Sequence, residues 1–147
     1  MLKSCCFAAA ILAAAAMPAL AEGECGSVPI APAVPTASDL AGKTVEVGRA
    51  EVLAAYKQVK VYQAALAPYR ACLKSLDDAD LAAIEAAKEK GAKEKDKIQP
   101  IQDRITARLK ANNQTVDTEQ QVAIDFNNLH VAQCVNDTDP KICPKKP

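Results

Sequence analysis

Aromatic residues are nearly missing from this chain: three Tyr and two Phe make up 3% of 147 residues. A core without large rings must be filled by aliphatic side chains and alanine, and alanine buries little area per residue. Glycine is almost as scarce, at five residues, and no glycine-rich phosphate loop is present. An alanine-rich chain with so little glycine favours helix over sheet. His130 is the only histidine. A nucleophile–histidine–acid site would have to use it, and no Gly-x-Ser-x-Gly elbow supplies a serine. No Cys-x-x-Cys occurs, which excludes the motifs of dithiol exchange and haem attachment. Excess charge of one sign is also lacking, with 18 basic and 18 acidic residues. That balance suits neither a nucleic-acid binder nor a polybasic membrane patch.

What is present begins with a secretory signal. Lys3 supplies a positive start, Phe7 to Ala16 is an apolar run, and Pro18 breaks it before the small-x-small sequence Ala19-Leu20-Ala21. The run is shorter than the roughly 20 residues that span a bilayer. Cleavage after Ala21 is expected, leaving a mature chain from Glu22 with no stable membrane insertion. Loss of Lys3 leaves 17 basic against 18 acidic residues, a net charge of −1. Four cysteines remain: Cys25, Cys72, Cys134 and Cys143. An even count in a small exported domain predicts two disulfides, for which three connectivities exist.

The chain is organised around an apolar seam from Thr44 to Leu76. One heptad position holds Val45, Val52, Val59, Leu66 and Leu73; its companion holds Gly48, Ala55, Tyr62, Tyr69 and Leu76. Such a seam must be covered by another helix. Ahead of it, Pro29, Pro32 and Pro35 fall three apart, which suits an extended linker. Ser38 or Asp39 is placed to cap an early turn. Pro68 is expected to bend the first helix. Asp77, Asp78 and Asp80 read as a turn and the cap of a second helix that starts near Ala79. They lack the length, glycine and terminal Glu of a calcium loop.

Leu81 and Ile84 face inward on that second helix. Glu89 with Lys93 and Lys90 with Glu94 are i, i+4 pairs on a solvated stretch around Gly91. Past a second kink at Pro100, Ile98, Ile101, Ile105 and Leu109 form a stripe, and Asn112-Asn113 ends the helix. A third helix, Thr118 to Val135, starts with Asp117 and Gln120 as a capping box. It turns Val122, Phe126 and Leu129 inward, with Ile124, Val131 and Val135 widening the stripe. On this reading the third helix runs parallel to the first, and all four cysteines can meet at one pole. The divisions are therefore a signal peptide 1–21, a Pro-rich tether 22–43, a helical bundle 44–135 and a C-terminal tail 136–147.

His130 and Cys134 share a helix face at i, i+4, a spacing a metal can use. A zinc site needs three or four ligands, however, and no further Cys or His stands at ligand spacing in the sequence. His130 is thus read as exposed or at a helix C-terminus, and no metal, cofactor or catalytic residue is assigned. Tyr62 and Tyr69 on the seam, with Tyr56 beside it, are read as core and rim rather than as a ligand groove. Two sequons, Asn113-Gln114-Thr115 and Asn136-Asp137-Thr138, matter only in a eukaryotic secretory pathway.

Cys25 with its spaced prolines, Val59-Lys60-Val61-Tyr62-Gln63, and Tyr69-Arg70-Ala71-Cys72-Leu73 resemble a group of small exported helical proteins of Gram-negative bacteria. These share an N-terminal Cys/Pro segment and a Tyr-x-x-Cys-Leu helix motif. The stretch from Ala123 to Asn128 is similar to their last helix. The group has no assigned activity, so the resemblance transfers no functional residue. It does imply the bridge Cys25–Cys72, which leaves Cys134–Cys143. This chain departs from the pattern in carrying the latter two cysteines, so Cys72–Cys134 with Cys25–Cys143 stays open.

The reading is an all-α protein, an antiparallel long-helix hairpin plus a third helix in a coiled-coil-like bundle, stapled by disulfides. Function is expected to be non-catalytic binding or scaffolding in the cell envelope, periplasmic or secreted. The alternative is a periplasmic small-molecule or metal-ion binding protein. A homo-oligomer or an envelope protein partner would use the helical seam.

Overall fold

The computed structural model describes residues 24–91 and 95–143. The expected signal peptide lies outside the described residues, as do Lys93 and Glu94, with which Glu89 and Lys90 were expected to pair. The described chain is helical, with no strand among the described residues. A short 3-10 turn, Ala37–Leu40, precedes two long helices, α1 (Val45–Glu89) and α2 (Lys95–Gln133). At 1.5 Å per residue these helices span about 67 Å and about 58 Å. Pairing across them runs in opposite directions: Arg49 with Asp137, Arg70 with Glu119, and Asp80 with Arg104. They form an antiparallel hairpin.

The seam is buried as its periodicity requires: Gly48, Val52, Ala55, Val59, Tyr62, Leu66, Tyr69 and Leu73 all face inward. What covers it differs from the expectation. Among the described residues there is no separate third helix, because neither expected break occurs. Asp77 and Asp80 accept from Arg108, and Asp80 accepts also from Arg104. Their carboxylates are engaged across the hairpin rather than with local backbone, so they do not open a turn. Asp78 instead pairs with Lys74 one turn back, at 2.6 Å. The second expected break, at Asn112-Asn113, is bridged by Thr115. Its hydroxyl donates to the Asn112 carbonyl at 2.7 Å and accepts from Arg70 Nε at 2.9 Å. Thr115 is buried, in a helix rather than in the exposed loop a sequon needs, and Asp117 lies inside α2 rather than capping a helix.

The reversal sits instead at Gly91, whose φ of +87° is the left-handed conformation that ends helices. Both prolines are accommodated inside helices. Pro68 and Ala64, whose carbonyl loses its partner there, are exposed positions where water can satisfy that oxygen.

An unbroken α2 also moves the cysteines. The end of α2 returns to the start of α1, so Cys134 lies at that end while Cys72 lies in the second half of α1. The four cysteines do not share a pole. They form two separate bridges, Cys25–Cys72 and Cys134–Cys143, with Cα separations of 5.6 and 5.4 Å. The first is the pairing the resemblance implies.

The tether supplies the missing cover. Ala31 and Val34 pack on Val59, Tyr62, Leu66 and Val122, and Val34 and Leu40 pack on Val52, Ala55 and Leu129. Thr36 and Asp39 cap its 3-10 turn: the Thr36 N–H and hydroxyl both donate to Asp39 Oδ2. Thr44 caps α1, accepting from the Val47 N–H at 3.4 Å.

Several apolar positions expected inside are exposed: Leu81, Leu109, Ile124, Val131 and Val135. Arg108 and Gln133 are buried in the interhelical contact.

Gly48 is a close-approach site. A Cβ there would overlap the Gln133 carboxamide, whose Nε2 donates to the Val45 carbonyl at 3.0 Å and to Asp137 at 3.2 Å. Alanine improves helix propensity by about 1 kcal/mol. Expelling Gln133 costs both hydrogen bonds and strains the packing, so Gly48→Ala is expected to destabilise by a net of about 1–2 kcal/mol. A urea unfolding midpoint no lower than that of the parent would contradict this.

Candidate functional site

Two places gather side chains beyond what the core needs. The first is a groove between the tether and α1. Proline fixes the tether in an extended path, and the Cys25–Cys72 bridge pins its start to α1. Between them lies a cavity of about 430 Å³ lined by Pro29, Ile30, Pro32, Val61, Tyr62 and Ala65, with Lys57 and Gln58 at its edge. Ile30 is 92% exposed and Val61 71% exposed. Tyr62 forms its floor and is itself buried. Burial raises the Tyr62 phenol above its usual range, and the nearby Glu119 carboxylate adds to the effect.

A polar line crosses from α1 to α2. Gln63 and Arg70 both donate to Glu119, at 3.2 and 2.8 Å, and Arg70 also holds Thr115. Next to this line stands an aromatic row. Tyr56 meets Phe126 at 5.9 Å between ring centroids, and Phe126 stacks on His130 at 6.2 Å. The Lys60 ammonium lies 5.7 Å from the centre of the Tyr56 ring. The three tyrosines expected as core and rim divide that way: Tyr62 and Tyr69 are buried and Tyr56 is exposed.

The second place is the knot where the tail folds back on the end of α2. Asp137, the first turn of the tail, is buried. Its carboxylate accepts from Arg49 Nε and Nη2 at 3.1 and 2.9 Å, from the Asp139 N–H at 2.9 Å and from Gln133. The Arg49 guanidinium first, and then the Asp139 N–H, hold the Asp137 carboxyl far below the usual carboxylate range. The Asp139 carbonyl accepts from the Ile142 and Cys143 N–H groups at 3.1 and 2.7 Å. His130, at the last turn of α2, is half-buried and donates Nε2–H to the Ile142 carbonyl at 2.6 Å. A carbonyl oxygen only accepts, so the proton is on Nε2. The knot thus brings Cys143 beside His130 and Cys134, a neighbour that linear spacing did not show.

No protein-family model, curated protein or solved structure matches the chain. No helix among the described residues is long and apolar enough to cross a membrane.

The acidic side chains give a pH dependence of definite sign. Asp137 and Asp80 both have carboxyls lowered by arginine partners. In the unfolded chain such a group titrates near 3.9. The unfolded state therefore takes up protons first as pH falls. Stability from these groups is full above about pH 5 and is lost progressively as pH falls below about 4 towards their folded values. Urea midpoints are expected to be flat from about pH 7 to 5 and then to drop. Asp137→Asn should flatten the acid limb while lowering the neutral plateau; an unchanged acid limb would remove Asp137 from the account.

Proposed function

We propose that this protein is exported, periplasmic or secreted, and acts without catalysis by binding a protein partner or scaffolding in the cell envelope. The observation that carries the reading is the tether groove. Ile30 and Val61 stand in water on a surface whose backbone is fixed by proline, a disulfide and a 45-residue helix. Exposed apolar side chains on a backbone that is already fixed cost little backbone entropy when a partner covers them. Two disulfides fit an oxidising compartment. The seam is already covered by α2 and the tether, so the partner meets the flank of α1 rather than the seam.

A photo-crosslinker at position 61 in intact cells tests this. The expected result is one discrete adduct with an envelope protein, reproduced with the two purified proteins and lost on Ile30→Asp. Ile30→Asp should change stability by less than about 0.5 kcal/mol, since the side chain is exposed. No adduct at position 61, with the protein folded and exported, would overturn the reading.

A second reading is favoured by the apolar lining of the same groove. Pro29, Ile30, Pro32, Val61 and Ala65 give the groove an apolar lining that suits a hydrophobic ligand. Calorimetric titration with a hydrophobic-ligand panel separates the two: saturable heat lost on Val61→Asp supports a small-molecule carrier, and flat titrations remove it.

A further inference from the structure

We propose that His130, Cys134 and Cys143 form a binding site for a tetrahedral divalent cation of the zinc type once the Cys134–Cys143 disulfide is reduced. The site is separate from the tether groove and independent of the function proposed above. One ligand atom from each of the three residues lies within 4.8 Å of the others. In a tetrahedral site with metal–sulfur bonds of about 2.3 Å, two thiolates sit about 3.8 Å apart. Breaking the S–S bond therefore requires the sulfurs to separate by less than the width of an atom.

The backbone is held without the disulfide. Cys134 directly follows α2, and its N–H donates to the His130 carbonyl at 3.0 Å, which continues the helical spacing by one residue. Cys143 is fixed by its N–H bond to the Asp139 carbonyl, at 2.7 Å. The Asp139 segment is fixed in turn by Asp137, which Arg49 and Gln133 lock to both helices. His130 is oriented by Phe126 and by the Ile142 carbonyl. A backbone carbonyl is a common partner for the ring N–H of a metal-ligating histidine, and the Ile142 carbonyl holds the His130 ring here. Two thiolates and an imidazole are a soft and borderline donor set, which selects zinc over magnesium or calcium. Three protein ligands leave a fourth position for water or an exogenous ligand.

The chemistry balances with a dithiol as reductant. Its two thiols give two electrons and two protons and close to a disulfide, while the Cys134–Cys143 bond opens to two thiols. The cation then displaces both thiol protons to solvent and forms two metal–sulfur bonds.

The test uses the full mature chain, reduced by a dithiol that is then removed without air, with Co²⁺ as the spectroscopic probe. The expected result is a thiolate-to-cobalt charge-transfer band saturating at one equivalent. It should be absent from the oxidised protein, lost in Cys134→Ser with Cys143→Ser, and kept in Cys25→Ser with Cys72→Ser. His130→Gln should weaken cobalt binding by roughly tenfold or more. Absence of the band, its persistence without Cys134 and Cys143, or unchanged affinity in His130→Gln would each overturn the proposal. Alkylation with Zn²⁺ present keeps the question open to an answer even if the reduced chain loses helicity. Protection of Cys134 and Cys143 but not of Cys25 and Cys72 supports the site, and equal labelling of all four overturns it.

Discussion

Replacing Cys25 and Cys72 together by serine is expected to destabilise the protein by about 4 kcal/mol. The bridge spans 47 residues, and closing a loop of that size removes roughly this much free energy from the unfolded chain's entropy. The folded state suffers as well. The tether has no helix or sheet of its own over Val28 to Pro35, so its place over Val52, Ala55, Val59 and Tyr62 depends on Ala31, Val34 and Leu40 and on the bridge at its start. For a domain whose total stability is on the order of 5–15 kcal/mol, this is a large share. Urea unfolding under non-reducing conditions measures it. The same experiment on Cys134→Ser with Cys143→Ser should show a smaller loss, about 2–3 kcal/mol, because that loop spans nine residues. Equal losses from the two pairs would contradict the loop-length account of both bridges.

Leu129→Ala is expected to cost about 3–4 kcal/mol. Leu129 is fully buried, with no exposed surface, and it closes the cluster of Val52 and Ala55 beneath Val34, Leu40 and Phe126. Removing a buried leucine side chain loses its transfer free energy and leaves a cavity that helices fixed by Arg49–Asp137 and Gln133 cannot collapse to fill. Two outcomes separate the contributions. A loss near 2 kcal/mol would mean that the tether settles into the space, whereas a loss above about 4 kcal/mol would mean that it stays where the bridge holds it. Val131→Ala, two residues away but more than half exposed, is the control and should change stability by less than about 0.5 kcal/mol.

The seam was legible in the sequence because a heptad pattern carries its own geometry. Val52, Val59, Leu66 and Leu73 can be buried together only on one helix face, whatever covers them. The stops were not legible. Asp, Asn and Thr favour turns when their side chains bond local backbone; Asp77 and Asp80 bond arginines of the opposite helix instead, and Thr115 bonds both the Asn112 carbonyl and Arg70 across the hairpin. Linear sequence does not say which partner such a group will choose. Two misplaced turns then carry through: with one reversal near Asp78 and another near Asn113, the last helical segment runs the wrong way and the cysteine poles come out wrong. Gly91, in a strongly charged stretch, was the stop signal that the helix used. Ile124, Val131 and Val135 were expected inside because they are apolar. They lie outside because a two-helix hairpin with a tether has too narrow a covered face to bury so wide a stripe.

In the candidate sites, the i, i+4 relation of His130 and Cys134 is a property of any helix, so the sequence showed it. The arrival of Cys143 at the same place depends on how Asp137 and Asp139 turn the tail, and that depends on Arg49, 88 residues away in the chain. The sequence by itself determined the helical class, the residues of the seam and the number of cysteines available to pair, because composition, periodicity and count are local quantities. Only the tertiary structure decided that the described residues form two long helices rather than three, that the proline segment acts as part of the core's cover, and which side chains meet at the knot. Each of those follows from contacts between distant residues, where a carboxylate, a threonine or a leucine is placed by the free energy of its partner rather than by its neighbours in the chain.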